Sequence, residues 1–266
     1  KVELPESVKE IGDYAFIGCE NIKSIAIPES VTEIEVAAVV NAYALQRIII
    51  RSNLTLIPES MVAGCKMLTT VDIPNSVSEI GIYAFQGCVR LAEIDLPKGL
   101  KKIGYNAFQG CESLETVYIP DGVESIGEWA FCECENLTEV RLPDGITDIS
   151  NMLFRSCGAL KSVNIPKSVT RLGDQAFYGC SDLTSITAPK VQSIGYLGFD
   201  STSITSIDMP LLKEVGKSAF RKTALTEVYL PSLETAGDEA FLSCEQLLTV
   251  DLPKLQNLSQ QLFTRC

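Results

Sequence analysis

Apolar and polar residues alternate in short stretches of this chain, and each stretch ends at a proline. One example is Leu137-Thr-Glu-Val-Arg-Leu, which precedes Pro143. This alternation has the period of a strand with one buried face. Proline ends the strand because it has no N–H to donate to a neighbouring strand. A second short alternation, as in Val77-Ser-Glu-Ile80, predicts an extended segment followed by a turn.

The prolines recur at a nearly constant spacing. Eleven of the twelve mark one position of a repeating unit, which is 23 residues long over most of the chain and 21 or 22 residues long near its end. Arg51 takes the proline position in one early unit, and Pro58 lies outside the pattern. This internal periodicity predicts a tandem array of about twelve units.

Phenylalanine and cysteine are confined to two positions of the unit. All ten phenylalanines share one position, with Val39 and Val62 replacing them in two early units, and nine of the ten cysteines lie three residues later. The Tyr-Ala-Phe-x-Gly-Cys segment predicts a single helical or 3₁₀ turn that carries Phe inward. Because one unit cannot bury its apolar face alone, we expect the units to stack about 4.8 Å apart.

The complete unit, Leu-x-x-Ile-x-Ile-Pro-x-x-Val-x-x-Ile-Gly-x-x-Ala-Phe-x-Gly-Cys, resembles the BspA-like (treponemal-type) leucine-rich repeat. The resemblance covers essentially the whole chain, with irregular repeats in residues 28–73 and shortened repeats in residues 190–253. It implies a curved solenoid on the outside of bacterial or protist cells that binds host proteins or other cells. The expected fold class is an α/β repeat: one leucine-rich-repeat solenoid over residues 1–266, with a parallel β-sheet on one face and short turns or single helical or 3₁₀ turns on the other.

Both ends of the sequence fall inside a repeat. The chain opens on Lys1-Val-Glu-Leu-Pro5, within a strand, and stops at Cys266 in the middle of a unit. Solenoids need polar caps on their terminal coils, and neither end supplies one. We therefore expect a fragment of a longer protein, whose signal and anchor lie outside this segment.

Composition narrows the possible functions. The chain has 266 residues, 46% of them hydrophobic, which excludes a disordered protein. No apolar run approaches the ~20 residues of a membrane-spanning helix. The 22 Lys+Arg against 34 Asp+Glu give a net charge of −12, with no basic cluster for nucleic acid. Histidine is absent, which removes the commonest general base. We expect no enzyme activity, no cofactor, no nucleic-acid partner and no membrane insertion in this segment.

The ten cysteines admit two interpretations. Stacked coils place equivalent Cα atoms within disulfide range, but side chains at equivalent positions point in parallel rather than converge. We favour a ladder of buried free thiols and keep disulfides as the alternative. Cys132, the one cysteine outside the ladder, is predicted to be the most accessible thiol. Without a paired C-x-x-C motif or any histidine, no zinc site is expected.

Outward strand positions of a repeat array form columns on one face, and such extended surfaces commonly bind partners. One such column consists of the residues two positions before each repeat proline. It supplies the candidate protein-binding face: Asp72, Asp95, Tyr118, Arg141, Asn164, Asp208, Tyr229 and Asp251. Tyr118 and Arg141 are expected to be neighbours, and both residue types are enriched in interface hot spots. Aromatic residues also simply suit exposed strands.

Two further positions have alternative interpretations. Asp72 beside Asp95 suits a hard cation such as Ca²⁺, but solvated surface carboxylates are far commoner, so no metal is assigned. Trp129 occupies the turn position of Tyr14 and Tyr83. We expect it to be a partly buried cover for the Phe column.

The preferred function is a secreted or cell-surface recognition or adhesion module without catalytic activity. Its partner would be a protein ligand, such as a host extracellular protein or a protein of another cell, bound on the strand-lined face. The alternative is a structural spacer or stalk that presents another domain. An enzyme is least favoured, since it needs a deep pocket and a solenoid with a filled core rarely has one.

Overall fold

A computed structural model describes residues 1–266, and its regular elements are 21 short strands without a helix. Nothing in it has the length and apolarity of a membrane-crossing helix. The strands fall into two rows, one before and one after each proline position. Twelve such positions bound about eleven complete turns of a parallel β-solenoid.

The pre-proline strands are two to four residues long. They are β1 (Val2–Glu3), β3 (Ser24–Ile27), β5 (Arg47–Ile50), β7 (Thr70–Asp72), β10 (Thr116–Tyr118), β12 (Glu139–Arg141), β14 (Ser162–Asn164), β16 (Ser185–Thr187), β19 (Glu227–Tyr229) and β21 (Thr249–Asp251).

The post-proline strands are all two residues long. They are β2 (Glu10–Ile11), β4 (Glu33–Ile34), β6 (Leu56–Ile57), β8 (Glu79–Ile80), β9 (Lys102–Ile103), β11 (Ser125–Ile126), β13 (Asp148–Ile149), β15 (Arg171–Leu172), β17 (Ser193–Ile194), β18 (Glu214–Val215) and β20 (Thr235–Ala236).

The chain forms two compact units, Lys1–Leu137 and Thr138–Cys266. In the first unit, β1, β3, β5 and β7 form one parallel sheet, and β6, β8, β9 and β11 form another. In the second unit the post-proline strands β13, β15, β17, β18 and β20 form a continuous parallel sheet, while β14 pairs with β16 and β19 with β21. Both units therefore carry sheet on two faces, whereas the sequence predicted sheet on one.

Phenylalanine rings stack through the core of each unit, as predicted. In the first unit the Phe85 and Phe108 ring centroids are 5.1 Å apart with planes 1° from parallel, and Phe131 follows at 5.2 Å from Phe108. In the second unit Phe177 and Phe199 stack at 5.2 Å. These side chains are fully buried. The interval is close to the separation of paired strands, so ring stacking and strand pairing share one repeat distance.

The segment around each phenylalanine is a series of tight turns, so the predicted helical turn and the α/β class were wrong. In the segment from Tyr83 to Cys88, the N–H groups of Gln86 and Cys88 donate to carbonyls three residues earlier. The N–H groups of Phe85 and Gly87 donate instead to the next coil. Tyr83 has φ 57°, a left-handed conformation that a right-handed helix cannot continue through. Alternate N–H donors thus tie neighbouring coils together.

The irregular and shortened repeats keep the stacking. Val39 and Val62 replace phenylalanine in the early repeats and are still buried. Ser193 pairs with Glu214 in a register of 21 residues, so the short repeats stack on one another without a bulge in the ladder. Two coils depart from this pattern: the coil that contains Asp95 forms no pre-proline strand, and the coil that contains Asp208 forms only an isolated bridge there.

Candidate ligand-binding face

The outward side chains of the pre-proline strands are exposed because each strand alternates buried and exposed positions. On β10, Val117 is fully buried while Tyr118 is 57% exposed. On β19, Val228 is buried while Tyr229 is 61% exposed. Both tyrosines therefore present most of their rings to solvent on the predicted face.

In the first unit the strand register places Ala26, Ile49 and Asp72 in one column. Asp72 accepts a hydrogen bond of 2.9 Å from Arg47, which belongs to the column two residues earlier. Both side chains are about half exposed, so this ion pair adds little to stability. It nevertheless places a guanidinium where a cation would have to bind.

Asp95 is exposed and lies in a coil without a pre-proline strand, so no ladder aligns it with Asp72. The structure contains no group of three or more acidic or cysteine side chains arranged to hold a metal ion. The carboxylates of Asp72 and Asp95 are thus surface charges, one of them paired with Arg47.

In the second unit the register brings two sets of candidate residues together. Asn164 pairs with Thr187, and Thr187 forms a bridge with Asp208. Tyr229 is the direct partner of Asp251 on the neighbouring strand. Arg141 is exposed at the end of β12. Each predicted site residue of this unit therefore faces solvent on the pre-proline side.

The cysteine ladder is a row of free thiols that bond to carbonyls. Cys111 Sγ, for example, donates to the Phe85 carbonyl of the preceding coil at 3.3 Å. Burial raises the pKa of Cys65 and Cys111 to about 12 and that of Cys244 to about 11. Because the thiolate is the reactive form, these groups are inert at neutral pH.

Cys132 is fully buried, so the prediction that it is the most accessible thiol was wrong. Its backbone lies in the turn segment, where its carbonyl accepts the N–H of Gly110. The short side chain is covered there, whereas Gln109, at the same repeat position in the preceding coil, is long enough to reach solvent. The accessible cysteines are Cys19, which is partly buried, and Cys266, which is exposed.

A groove that the sequence did not predict lies on the turn edge of the first unit. It has a volume of about 470 Å³, and Gly64, Gly87 and Gly110 lie along it. Side chains of Gln86, Gln109 and Glu133 border the groove. The signal available in the sequence was the run of glycines at one repeat position in three consecutive coils.

A buried ion pair in the second unit was also missed. The Asp200 side chain is inaccessible to solvent, and its carboxylate accepts hydrogen bonds from Arg221 and from Ser201. Buried carboxylates require such partners. Arg221 lies 21 residues later, at the same repeat position of the next coil, so only the stacking register brings the charges together.

This architecture defines a parallel β-solenoid of leucine-rich repeats, and the comparisons with known proteins agree. The sequence profile of the BspA type leucine rich repeat region matches overlapping segments 1–115, 55–183, 101–223 and 148–266. The chain therefore belongs to the BspA-type leucine-rich-repeat family. No curated protein sequence gives a significant match.

Several solved structures are similar. A leucine-rich repeat protein from Bacteroides ovatus is 30% identical, with a TM-score of 0.76, over 97% of this chain and 68% of that one. The T. pallidum leucine rich repeat protein is also 30% identical, with a TM-score of 0.57, over 61% of this chain and 78% of that one. One from Eubacterium ventriosum is 20% identical, with a TM-score of 0.53, over 97% and 86% of the two chains, and supports the fold alone.

Proposed function

We propose that this chain is a recognition or adhesion module of a cell surface, without catalytic activity, whose pre-proline strand face binds a protein ligand. Leucine-rich-repeat proteins act in general through protein interactions or as structural elements. The observation that carries the proposal is the exposure of Tyr118 in the first unit and Tyr229 in the second. Each tyrosine side chain is more than half exposed, while the residues directly before and after it in the chain are buried.

The chemistry of the face supports a protein partner. Tyrosine and arginine contribute large contact areas and directional hydrogen bonds in interface hot spots. In the second unit, Arg141 and Tyr229 share their repeat position with short polar or acidic residues such as Asn164 and Asp251. A face of this kind offers anchors for a partner together with a polar rim. The extracellular location rests on the resemblance of the repeat to cell-surface proteins.

An array of purified extracellular-matrix and plasma proteins, probed with the labelled chain, tests this proposal. Against any protein that binds, the variants Tyr118→Ala, Arg141→Ala and Tyr229→Ala are compared with two matched controls on other surfaces. The controls are Tyr196→Ala, an exposed turn-edge tyrosine, and Arg171→Ala, on the post-proline strand β15.

We expect at least one face variant to weaken binding about tenfold, which corresponds to ~1.4 kcal/mol, while both controls bind like the wild type. Thermal melting of every variant shows whether the fold is retained. If no array protein binds, the chain acts as a structural spacer instead. If face and control variants lose affinity equally, the pre-proline strand face is not the binding site.

A further inference from the structure

The pre-proline sheet of the first unit has an opening after β7, between residues 69–73 and residues 92–96, which we call the slit. Residues 92–96 form no strand, although the coils before and after them form β7 and β10. In an earlier coil, the Lys23 carbonyl accepts the N–H groups of two residues of the next coil. The equivalent Thr69 carbonyl at the slit accepts no hydrogen bond, and no N–H group of residues 92–96 donates one. The two facing strand edges are therefore unpaired.

The slit also exposes part of the core. The side chains of Val71 and Ile73 on one edge, and of Ile94 and Leu96 on the other, are partly exposed. The equivalent residues of neighbouring coils are at most 5% exposed; they are Ile48, Ile50, Val117 and Ile119. A strand edge with unpaired backbone groups is a template for pairing with another chain, and here aliphatic surface is exposed beside it.

The loss of pairing is confined to the pre-proline face. The same two coils stay paired elsewhere, because β8 and β9 are neighbours in the post-proline sheet. The rings of Phe85 and Phe108 in these coils stack with centroids 5.1 Å apart. In the second unit, the coil without a pre-proline strand still keeps a bridge between Asp208 and Thr187. The slit is therefore a local feature of one coil pair in the first unit.

The rim of the slit is acidic. Glu93 and Asp95 on one edge are exposed, and neither forms an ion pair. On the opposite edge Asp72 is paired with Arg47, so its charge is already balanced. Two carboxylates thus remain available at the mouth of the slit, and they favour a partner with basic side chains.

We propose that the slit binds an extended peptide segment of the protein ligand, which adds as a strand between β7 and residues 92–96. An extended polypeptide supplies backbone donors and acceptors at the spacing that unpaired strand edges require. Its inward side chains are aliphatic and cover Val71 and Ile94, and its outward side chains are basic and face Glu93 and Asp95. Entry of the strand widens the slit by one strand spacing, about 4.8 Å. This inference rests on the proposed function, because the slit lies on the pre-proline strand face.

Other occupants fit less well. A small apolar molecule would cover the aliphatic side chains but would leave the backbone groups of residues 92–96 unpaired. Glu93 and Asp95 repel an anionic ligand. A second copy of this chain, with a net charge of −12, would bring further acidic residues against the acidic rim. A basic, extended peptide satisfies the backbone groups, the aliphatic surface and the carboxylates together.

Fluorescence anisotropy with a labelled synthetic peptide of sequence Thr-Val-Lys-Val-Lys-Val-Thr tests the proposal. One comparison peptide carries glutamate in place of lysine, and a second carries N-methyl groups on the valine amides, which prevents pairing with a strand edge. Hydrogen exchange followed by mass spectrometry locates the bound peptide. Residues 92–96 report on the slit, and β5 (Arg47–Ile50), which is already paired on both sides, is the internal control.

Two variants alter the slit. Glu93→Pro removes an unpaired N–H group without breaking an existing hydrogen bond, and Asp95→Lys reverses one charge of the rim. Asp251→Lys, at the same repeat position of the second unit, is the matched control for the charge. Thermal melting of all three variants separates loss of the site from loss of the fold.

We expect the lysine peptide to slow exchange at residues 92–96 at least tenfold and to leave β5 unchanged. Both comparison peptides, and both slit variants, should bind at least tenfold more weakly, while Asp251→Lys binds like the wild type. The inference is overturned if residues 92–96 gain no protection or if the methylated peptide binds as well as its parent. It is also overturned if the chain forms a dimer that Glu93→Pro disrupts, since a second copy then fills the slit. Loss of array-protein binding in Tyr229→Ala would still support the proposed function in each of these cases.

Discussion

The Cys111 thiol donates a hydrogen bond of 3.3 Å to the Phe85 carbonyl of the preceding coil. The same carbonyl accepts the N–H of Cys88 within its own coil. Cys134 and Phe108 repeat this relationship one coil later. The two most regular residues of the repeat are therefore coupled. The phenylalanine ring fills the core, and the backbone carbonyl of the same residue accepts a hydrogen bond from the cysteine thiol of the next coil.

Replacing Cys111 with alanine should lower the free energy of unfolding by ~1–2 kcal/mol. The change removes a buried sulfur, leaves a small cavity and deletes one donor to the Phe85 carbonyl. Urea denaturation measures the effect. Cys19→Ala is the matched control, because Cys19 is only partly buried, and it should change stability by less than ~0.5 kcal/mol. An equal loss in both variants would contradict a role for thiol burial.

Stability should fall as the pH rises above about 9. The folded state raises the pKa of Cys65 and Cys111 to about 12 and of Cys244 to about 11, whereas an unfolded thiol has a pKa of about 8.5. The stabilisation is fully present below the unfolded pKa, and it is lost as the pH rises through the folded values, because the unfolded chain releases protons first.

Urea midpoints at pH 8, 9 and 10 check this dependence. Each buried thiol contributes a slope of up to about 1.4 kcal/mol per pH unit above its unfolded pKa. The Cys111→Ala variant should therefore show a shallower alkaline decline than Cys19→Ala. Parallel declines in the two variants would assign the pH dependence to other groups.

Two of the ten cysteines should react rapidly with a thiol reagent such as Ellman's reagent in the native protein. The accessible pair is Cys19 and Cys266, while the remaining eight cysteines are buried. Denaturant without reductant should expose all ten. Fast labelling of Cys132 in the native protein, detected by mass spectrometry, would show that this thiol is accessible after all. A total below about eight thiols in denaturant would indicate disulfides.

The repeat spacing predicted the core because position in the unit determines burial. All phenylalanines fall at one position, and stacking brings that position of each coil into register. The turn conformation could not be predicted in the same way. The usual sequence signals for a left-handed residue are glycine and asparagine, yet Tyr83 and Met152 adopt φ 57°. Hydrogen bonds to the next coil impose this conformation, and they exist only after stacking.

The predicted site residues face solvent, but their ion-pair partners were missed. Asp72 pairs with Arg47, which lies 25 residues earlier and in a different column. A column-by-column alignment compares only equivalent positions, so diagonal contacts between long side chains do not appear in it. Short-range contacts of this kind depend on side-chain length, which the repeat pattern does not encode.

Phe108→Ala should destabilise the first unit by ~3–5 kcal/mol, the usual cost of deleting a buried ring. Phe108 is enclosed by Phe85 on one side and Phe131 on the other. Phe16→Ala should cost less, because Phe16 is partly exposed, and Phe108→Leu should fall between Phe108→Ala and the wild type. Denaturant unfolding measures all three. Equal losses in Phe108→Ala and Phe16→Ala would mean that the stacked rings contribute no more than a peripheral ring.

Gly104→Ala should be strongly destabilising, while the equivalent change Gly12→Ala should not. A Cβ atom on Gly104 would lie 2.7 Å from the carbonyl carbon of Gly81 in the preceding coil, and this backbone cannot move without breaking the stack. At Gly12 the nearest atom is Glu35 Oε2, at 3.8 Å. We expect Gly104→Ala to lose about 2 kcal/mol or more through overpacking, and Gly12→Ala to be neutral or to gain ~0.4–1 kcal/mol through a less flexible unfolded chain. Urea denaturation compares the two alanine variants, and similar values for both would show that the coils can separate enough to admit a methyl group.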